Sequence, residues 1–214
     1  YPVPVEKLTL NNISYDNGQF ALAPINYCFN KGKKYAIIGH SGSGKSTLLK
    51  IIDGTIDDSN GHVLINNQEI SKEQLHQVIF SINQQEHLFQ TNFLNNVTLF
   101  NSLKDDKRLT NELLEKLSNV TKKKITSYEK VDQLSGGEKQ IIGLLRMLAA
   151  NRDIILMDES FSNIDKENSN LIHDFLFSLK DKMIIEVTHD ISEENLSKYD
   201  HILAFNIGSF NVVK

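Results

Sequence analysis

Two glycines, a lysine and a serine stand at fixed spacing in one short segment, Gly39-His40-Ser41-Gly42-Ser43-Gly44-Lys45-Ser46, which matches the pattern G-x-x-x-x-G-K-[ST]. Glycines let the backbone curl until successive N–H groups point into one concavity, where the positive end of a following helix adds to the attraction for phosphate. Lys45 can reach the β- and γ-phosphates of a nucleotide, and the Ser46 hydroxyl can bind Mg²⁺. The pattern predicts a phosphate-binding loop; the alternative is a Gly/Ser-rich turn that happens to contain a lysine.

A second set of chemical groups follows two apolar runs. Asp158 and Glu159 come directly after Ile154-Ile155-Leu156-Met157, and Thr188-His189-Asp190 follow Met183-Ile184-Ile185-Glu186-Val187. Two unpaired carboxylates beside a buried strand would be costly unless a cation lies nearby. With Mg²⁺ present, Asp158 can hold the metal and Glu159 can polarise the water that attacks a γ-phosphate. The alternative is an acid pair at a strand end with no chemical role.

A third feature is a second glycine-containing helix start. Leu134-Ser135-Gly136-Gly137-Glu138 precede the helical run from Lys139 to Ala149. Ser135 is predicted to be the N-cap, and the two glycines leave the start of the helix accessible. The chain therefore has two candidate anion-binding helix N-termini.

The surrounding elements would place these groups on one sheet edge. Tyr35 to Ile38 predict a strand before the loop, and Thr47 to Ile52 predict a helix after it. Apolar runs alternate with helical patterns, which is typical of an α/β fold with a mostly parallel sheet that binds ligands at the carboxyl ends of its strands. Asn163 to Lys180 predict a core-facing helix. Asn92 to Tyr128 are more polar and carry the amphipathic pattern Leu109, Leu113, Leu114 and Leu117, so they predict a small inserted helical lobe. Its Lys122-Lys123-Lys124 run predicts a solvated face, with a contact to a partner as the alternative.

Composition limits the functional classes. A chain of 214 residues with 40% apolar residues can bury a full core. The net charge of −4 argues against a nucleic-acid partner. Cys28 is the single cysteine, so no internal disulfide can form. Ile141 to Ala150 is far shorter than the roughly 20 residues of a membrane helix. Tyr1-Pro2-Val3-Pro4 resembles a linker and suggests a segment of a longer chain.

The order and spacing of these motifs resemble those of an ATP-binding cassette (ABC) ATPase, and the resemblance covers essentially the whole chain. It implies that Gly39 to Thr47 form the Walker A loop and that Ile154 to Asp158 form Walker B, with Glu159 as the catalytic carboxylate. It implies that Ser135, Gly136, Gly137 and Glu138 are the signature motif. It also implies roles for single residues. Gln84 would be the Q-loop ligand of Mg²⁺, Asp165 would belong to the D-loop (Ser162 to Asp165), and His189 would be the switch histidine. Tyr15 would be the aromatic residue that stacks on adenine, with Phe20 or Asn17 as alternatives.

The resemblance further implies one ABC ATPase domain over residues 1–214. Residues 1–83 and 136–214 would form the α/β core with the P-loop NTPase fold and an N-terminal antiparallel β region, and residues 84–135 would form the Q-loop and helical subdomain. Glu138 stands where glutamine is commoner, Ser160-Phe161 replace proline and threonine, and Ile141 stands where arginine is frequent. None of these changes removes a group that handles phosphate, metal or water, so ATP hydrolysis with Lys45, Glu159 and His189 as catalytic residues is expected.

Members of this family work as head-to-tail dimers, in which the signature of one chain contacts the ATP bound by the other. The resemblance thus implies a homodimer around two Mg-ATP, with transmembrane domains fused before Tyr1. The position of Glu129 and the segment Phe89 to Val97 favour an exporter at the cytoplasmic face of a bacterial inner or plasma membrane. The alternative is a soluble, non-transport ABC ATPase or a regulatory nucleotide-binding module. A chromosome-maintenance ATPase is disfavoured, because only about fifty residues separate Gln84 from Ser135.

Overall fold

The computed structural model describes residues 3–82, 87–104, 107–117, 134–161, 163–206 and 209–214. The chain divides into two compact units. Unit 1 contains Tyr1–Ser81, Asp153–Glu159 and Lys180–Lys214, and unit 2 contains Ile82–Arg152 and Ser160–Leu179.

Unit 1 is built around a six-stranded sheet. In sheet order its strands are β10 (Ser209–Val212), β9 (His201–Asn206), β3 (Lys34–Gly39), β8 (Met183–Val187), β7 (Ile154–Asp158) and β6 (Ile79–Ile82), the last of which ends where unit 2 begins. Strands β9, β3, β8 and β7 are parallel neighbours, and β10 pairs antiparallel with β9. Both faces of the central strands β3, β8 and β7 are covered, which explains why they appear in the sequence as continuous apolar runs.

A second sheet of unit 1 is antiparallel and has four strands. Its strands are β1 (Lys7–Asp16), β2 (Ala21–Asn30), β4 (Asn60–Ile65) and β5 (Gln68–Glu69). Their order is β2-β1-β4-β5, and β1 pairs with both β2 and β4. In β1, the buried Leu8 and Leu10 alternate with the less buried Lys7 and Thr9, as expected for a sheet with one face on the core.

Three helices of unit 1 complete the layers, namely α1 (Lys45–Ile52), α2 (Lys72–Val78) and α7 (Glu193–Leu196). The face of α1 with Leu48 and Ile52 is almost fully buried and belongs to one apolar cluster with residues of both sheets. This cluster anchors the helix that follows the phosphate-binding loop.

Apart from the end of β6, all regular secondary structure in the described residues of unit 2 is helical. Its helices are α3 (Phe93–Thr98), α4 (Lys107–Lys116), α5 (Gly136–Ala150) and α6 (Lys166–Ser178). Leu113 and Leu114 of α4 and Leu117 beyond it are buried, which confirms the amphipathic pattern predicted for this segment. The longest helix, α5, buries nearly all of its side chains from Glu138 onward.

The predicted fold class is confirmed, with a mostly parallel sheet, an antiparallel β region and a helical part. The helix predicted from Asn163 starts only at Lys166, because the Asp165 side chain accepts a hydrogen bond from the Asn168 backbone N–H and caps it. Residues 136–152 and 160–179 lie in the same compact unit as the segment after β6, whereas the sequence analysis assigns them to the α/β core. The domain limits stay a prediction, since packing units are not domains. No helix among the described residues is both long and apolar enough to cross a membrane.

Candidate active site

The phosphate-binding loop connects β3 to α1, and its backbone depends on two glycines. Gly39 has φ 149°, and a Cβ at this position would lie 2.4 Å from the Phe205 carbonyl oxygen. Gly44 has φ 105° and is the N-cap of α1, with no side chain capping the helix. Gly39 has no side chain because β9 lies so close to it, and Gly44 has none because its backbone is left-handed. The first backbone N–H groups of α1 donate no hydrogen bond to a capping side chain.

Lys45 lies over this loop. Its ammonium donates hydrogen bonds to the carbonyl oxygens of Gly39 at 2.9 Å and His40 at 2.7 Å, and to Ser43 Oγ at 3.3 Å. Only 5% of the residue is exposed, and burial lowers the pKa of the ammonium, while the charges of Glu159 and Asp158 raise it. The contacts hold a positive charge at the mouth of the loop.

Glu159 and His189 are in contact between the ends of two neighbouring strands. The carboxylate Oε1 of Glu159 contacts Nε2 of His189. Glu159 has φ 50°, a left-handed conformation that is unfavourable for a residue with a side chain, and its backbone N–H donates to the Val187 carbonyl at 3.3 Å. Backbone strain of this kind is concentrated at functional sites. The turn points the carboxylate away from β7 toward the loop after β8.

These groups line one cavity of about 290 Å³ in unit 1. The cavity thus joins the start of α1 to the strand-end acid and histidine that the sequence analysis selected separately. Its lining residues are Asn17, Phe20, Ser41, Gly42, Gly44, Lys45, Ser46, Thr47, Glu159 and His189.

The aromatic wall of the cavity differs from the first choice made from the sequence. Phe20 and Asn17 line the cavity, but Tyr15 is not among the lining residues. A Cβ on Gly44 would lie 2.5 Å from Phe20 Cζ, so the ring packs directly on the loop. Tyr15 lies on β1, where it packs against the apolar core, and the chain turns between β1 and β2 before it reaches Phe20. Counting residues back from the loop did not resolve this turn.

The signature segment begins α5 in unit 2, and the predicted N-cap is confirmed. Ser135 Oγ accepts a hydrogen bond from the Glu138 backbone N–H at 3.3 Å, and the Glu138 carboxylate accepts one from the Ser135 backbone N–H at 2.8 Å. This reciprocal arrangement is a capping box. Ser135 and Gly136 are exposed, whereas Glu138 is buried.

Packing within the chain also restricts the two glycines of the signature segment, Gly136 and Gly137. A Cβ on Gly137 would lie 2.9 Å from the Asn163 carbonyl oxygen, and one on Gly136 would lie 3.7 Å from Asn163 Cβ. The D-loop backbone therefore packs against the start of α5. Asp165 itself caps α6, and hydrogen bonds from the backbone and side chain of Asn168 lower its pKa.

Some positions predicted from the sequence lie outside the described residues, namely Gln84, Ser162, Lys122 to Lys124 and Glu129. Asp158 ends β7 beside Val187 of β8, and it is not among the residues that line the cavity.

Sequence reasoning also missed a buried arginine. Arg146 of α5 donates from Nε to the Asn96 carbonyl at 2.9 Å and from Nη1 to the His87 carbonyl at 3.1 Å. Asn96 is fully buried and exchanges hydrogen bonds with both backbone groups of Phe89. The signal in the sequence was an arginine within the apolar run of a predicted helix. Its hydrogen bonds hold His87 and Asn96 against α5.

Comparison with known proteins agrees with this geometry. The family model described as ABC transporter matches residues 22–162, which is more than half of the chain. The glutathione/L-cysteine transport system ATP-binding/permease protein CydD of Bacillus subtilis is 32% identical over 188 residues, covering 84% of this chain and 33% of that protein. The energy-coupling factor transporter ATP-binding protein EcfA1 of Staphylococcus saprophyticus is 30% identical over 218 residues, covering 94% of this chain and 78% of that protein.

The structure of a bacterial Atm1-family ABC exporter with ATP bound superimposes with a TM-score of 0.82 at 21% identity, over the whole of this chain and 39% of the exporter chain. At this identity the likeness concerns the fold. The chain spans a third of the CydD relative, so it corresponds to one part of that protein. Family match, fold and site geometry lead to one conclusion: the chain belongs to the ABC transporter family, as a nucleotide-binding ATPase domain.

Proposed function

We propose that this chain is the motor domain of an ABC exporter, which binds Mg-ATP in the cavity of unit 1 and hydrolyses it to drive transport. The observation that carries the proposal is the convergence of Lys45, Glu159 and His189 on one cavity beside the uncapped start of α1. An uncapped helix N-terminus with a buried ammonium attracts a polyphosphate, and a carboxylate opposite it can act on water. Nucleotide binding and hydrolysis thus use residues of one cavity.

The residues present fit Mg²⁺. Magnesium prefers oxygen ligands and is usually bound by one or two carboxylates or hydroxyls together with substrate phosphates. Ser46 is exposed and lines the cavity, and the Asp158 carboxylate is close enough to raise the pKa of Lys45. Ser46 and Asp158 would hold the metal, with Gln84 as a further proposed ligand. The ion would neutralise charge on the β- and γ-phosphates.

The proposed chemistry assigns separate roles to the acid and the histidine. Glu159 accepts a proton from the attacking water or polarises that water, because its carboxylate is partly exposed to the cavity. His189 orients that carboxylate through their contact and would face the γ-phosphate. Lys45 stabilises the charge on the β- and γ-phosphates.

The active form in this proposal is a head-to-tail homodimer. Exposure of Ser135 and Gly136 leaves the start of α5 open to an anion from outside the chain. The signature Ser135 to Glu138 of one copy, with the D-loop residue Asp165, would meet the ATP of the other. A shared γ-phosphate then holds the dimer closed, and hydrolysis removes it. Moving the equilibrium from 1:99 to 99:1 requires roughly 5.5 kcal/mol of preference for the closed state.

Membrane domains are the proposed second partner, and three exposed apolar side chains of unit 2 support this. Phe89, Leu94 and Phe100 are 39%, 50% and 55% exposed, and the rings of Phe89 and Phe100 meet edge to face with centroids 5.5 Å apart. Leu99, Phe100 and Asn101 all have positive φ, so a left-handed turn presents Phe100. Exposed apolar groups on a strained turn are typical of an interface. The domain would then sit at the cytoplasmic face of the membrane.

Export is the proposed direction because the segment Phe89 to Val97 resembles that of exporters. Import is the alternative, since relatives of this chain include an import protein. Reconstitution of the complete transporter in vesicles, with ATP on one side only, distinguishes the two by the side on which the substrate accumulates.

The ATPase proposal is tested with Glu159→Gln. The amide keeps the shape of the side chain but cannot serve as a base, so hydrolysis should fall by about 10² or more while ATP still binds. The ATP-bound dimer should accumulate, as measured by light scattering with Mg-ATP. Glu73→Gln, the same change on the exposed face of α2, is the control and should behave as the parent. A Glu159→Gln variant that hydrolyses ATP at the parent's rate would remove Glu159 from the catalytic role.

A further inference from the structure

A carboxylate is buried in the middle of an apolar strand, in a place that the proposed chemistry does not use. Glu186 of β8 is 3% exposed and lies between Ala36 of β3 and Met157 of β7 in the sheet. Its carboxylate accepts a hydrogen bond of 2.6 Å from the hydroxyl of Tyr199, a residue that is 1% exposed. A buried acid needs such a donor, because an unpaired one would cost several kcal/mol.

The side chain of Asn195, on helix α7, also donates a hydrogen bond to the Tyr199 hydroxyl oxygen. Burial, together with the charge of Glu186, raises the pKa of Tyr199, so the hydroxyl keeps its proton and remains a donor to the carboxylate. The Asn195 amide in turn donates to the carbonyl oxygen of Asp190 at 2.7 Å. A continuous chain of hydrogen bonds therefore runs from the interior of β8 to the residue directly after His189.

The residue before His189 is also fixed. Thr188 donates its backbone N–H to the Ile37 carbonyl of β3 at 3.1 Å, and its hydroxyl accepts from the Asp190 N–H at 3.2 Å. The His189 side chain, by contrast, is half exposed and contacts Glu159. Its backbone is held on one side by the sheet and on the other by Asn195.

From this arrangement we propose that Glu186, Tyr199 and Asn195 are positioning residues that fix the backbone at Asp190 and thereby aim the His189 imidazole at Glu159 and the γ-phosphate. The inference rests on the proposed role of His189 in hydrolysis. None of the three residues lines the cavity, so they act through His189 and not on the nucleotide. Their substitution should change the rate of hydrolysis and leave ATP affinity nearly unchanged.

A double substitution separates positioning from stability. Tyr199→Phe alone leaves a buried carboxylate without this donor and should lower the melting temperature. Combining Tyr199→Phe with Glu186→Met replaces both polar partners by apolar groups of similar volume, which is often neutral for stability. The double variant should recover the melting temperature but not the rate, because Asn195 still lacks the hydroxyl that orients it. We expect kcat about tenfold below the parent and an ATP Kd within twofold of the parent.

A second variant with a matched control tests the contact next to His189. Asn195→Ala removes the donor to Asp190, whereas Ser192→Ala weakens the N-cap of the same short helix and keeps the amide. Asn195→Ala should lower kcat about tenfold and shift the ring resonances of His189 in carbon-proton NMR spectra. Ser192→Ala should do neither.

The outcomes distinguish this inference from the proposed function. If His189→Ala hydrolyses ATP at the parent's rate, the role of His189 is wrong. If His189→Ala is inactive but the double variant and Asn195→Ala keep both the parent's kcat and its His189 resonances, the three residues only stabilise the fold and the inference fails. The NMR comparison gives its result whether or not the protein hydrolyses ATP.

Discussion

Two helices of this protein begin at glycines, and their N-termini are built in opposite ways. Helix α1 starts after Gly44, has no side-chain cap and no acid in its first turn, and carries Lys45 there. Helix α5 starts after Ser135, has a complete capping box and carries the acid Glu138 in its first turn. The first arrangement leaves backbone donors without a capping partner and adds a positive charge. The second satisfies two donors and adds a negative charge.

This difference indicates how each N-terminus meets an anion. The N–H groups of α1 that lack a cap can donate hydrogen bonds to phosphate oxygens, which suits the proposed nucleotide site within one chain. The start of α5 is already stabilised by its own side chains, and only the exposed Ser135 and Gly136 side is offered to a ligand. A capped helix with an acid attracts an anion weakly. Such a site fits a phosphate that another chain has already bound, which is the arrangement proposed for the dimer.

The largest effect on this comparison is expected from Lys45→Ala. It removes the positive charge from the α1 site, so the backbone alone must hold the β- and γ-phosphates. The Kd for ATP should rise by on the order of 10²-fold, in the range of losing charge-assisted hydrogen bonds. Isothermal titration measures it, with Lys50→Ala in the exposed last turn of α1 as the control. Unchanged affinity in Lys45→Ala would mean that the nucleotide binds elsewhere.

Ser135→Arg tests the α5 site. A bulky cation at this position should block the helix start from a partner's γ-phosphate, while ATP binding to each chain stays intact. Light scattering in Mg-ATP, in the Glu159→Gln background, should then detect monomers only. Ser71→Arg is a matched control, because Ser71 is also the exposed N-cap of a capping box, at α2. A dimer of the Ser135→Arg variant at the parent's affinity would contradict the head-to-tail arrangement.

Phe20→Ala tests the aromatic wall beside the α1 site. Loss of one stack between a base and an aromatic ring should weaken ATP binding by about 1–2 kcal/mol and weaken triphosphate binding less. Both rings pack against the apolar core, so either change should lower the melting temperature. Tyr15→Ala should nevertheless leave ATP affinity unchanged, because Tyr15 does not line the cavity. If Tyr15→Ala weakens ATP binding and Phe20→Ala does not, Tyr15 is the stacking residue, as the sequence predicts.

The sequence predicts the α1 site better than its surroundings, for physical reasons. Loop 39–46 and the acid after β7 are local patterns: glycines, a lysine and a strand end determine their geometry with little help from distant residues. Phe20 reaches the cavity only because a turn joins β1 to β2, and spacing alone cannot count the residues in that turn. The capping box at Ser135 is also local: the sequence predicts Ser135 as the N-cap, but Glu138 is noted only as a departure from the family pattern. Tyr199 is thirteen residues from Glu186, and their hydrogen bond depends on tertiary packing that no local pattern predicts.

The smallest and most specific effect is expected from Glu138→Gln. The glutamine oxygen can still accept the Ser135 N–H, as Gln74 does for Ser71 in the capping box of α2, so the cap should survive. Only the negative charge is lost, and this makes the start of α5 more favourable for an anion. An effect of 0.3–1 kcal/mol, typical of a charge at a helix end, corresponds to an ATP-dependent dimer about two- to fivefold tighter. Sedimentation in Mg-ATP in the Glu159→Gln background measures this, with Glu138→Ala as the control that also loses the cap. A Glu138→Gln dimer weaker than the parent's would mean that the carboxylate, and not the helix N-terminus, makes the contact across the interface.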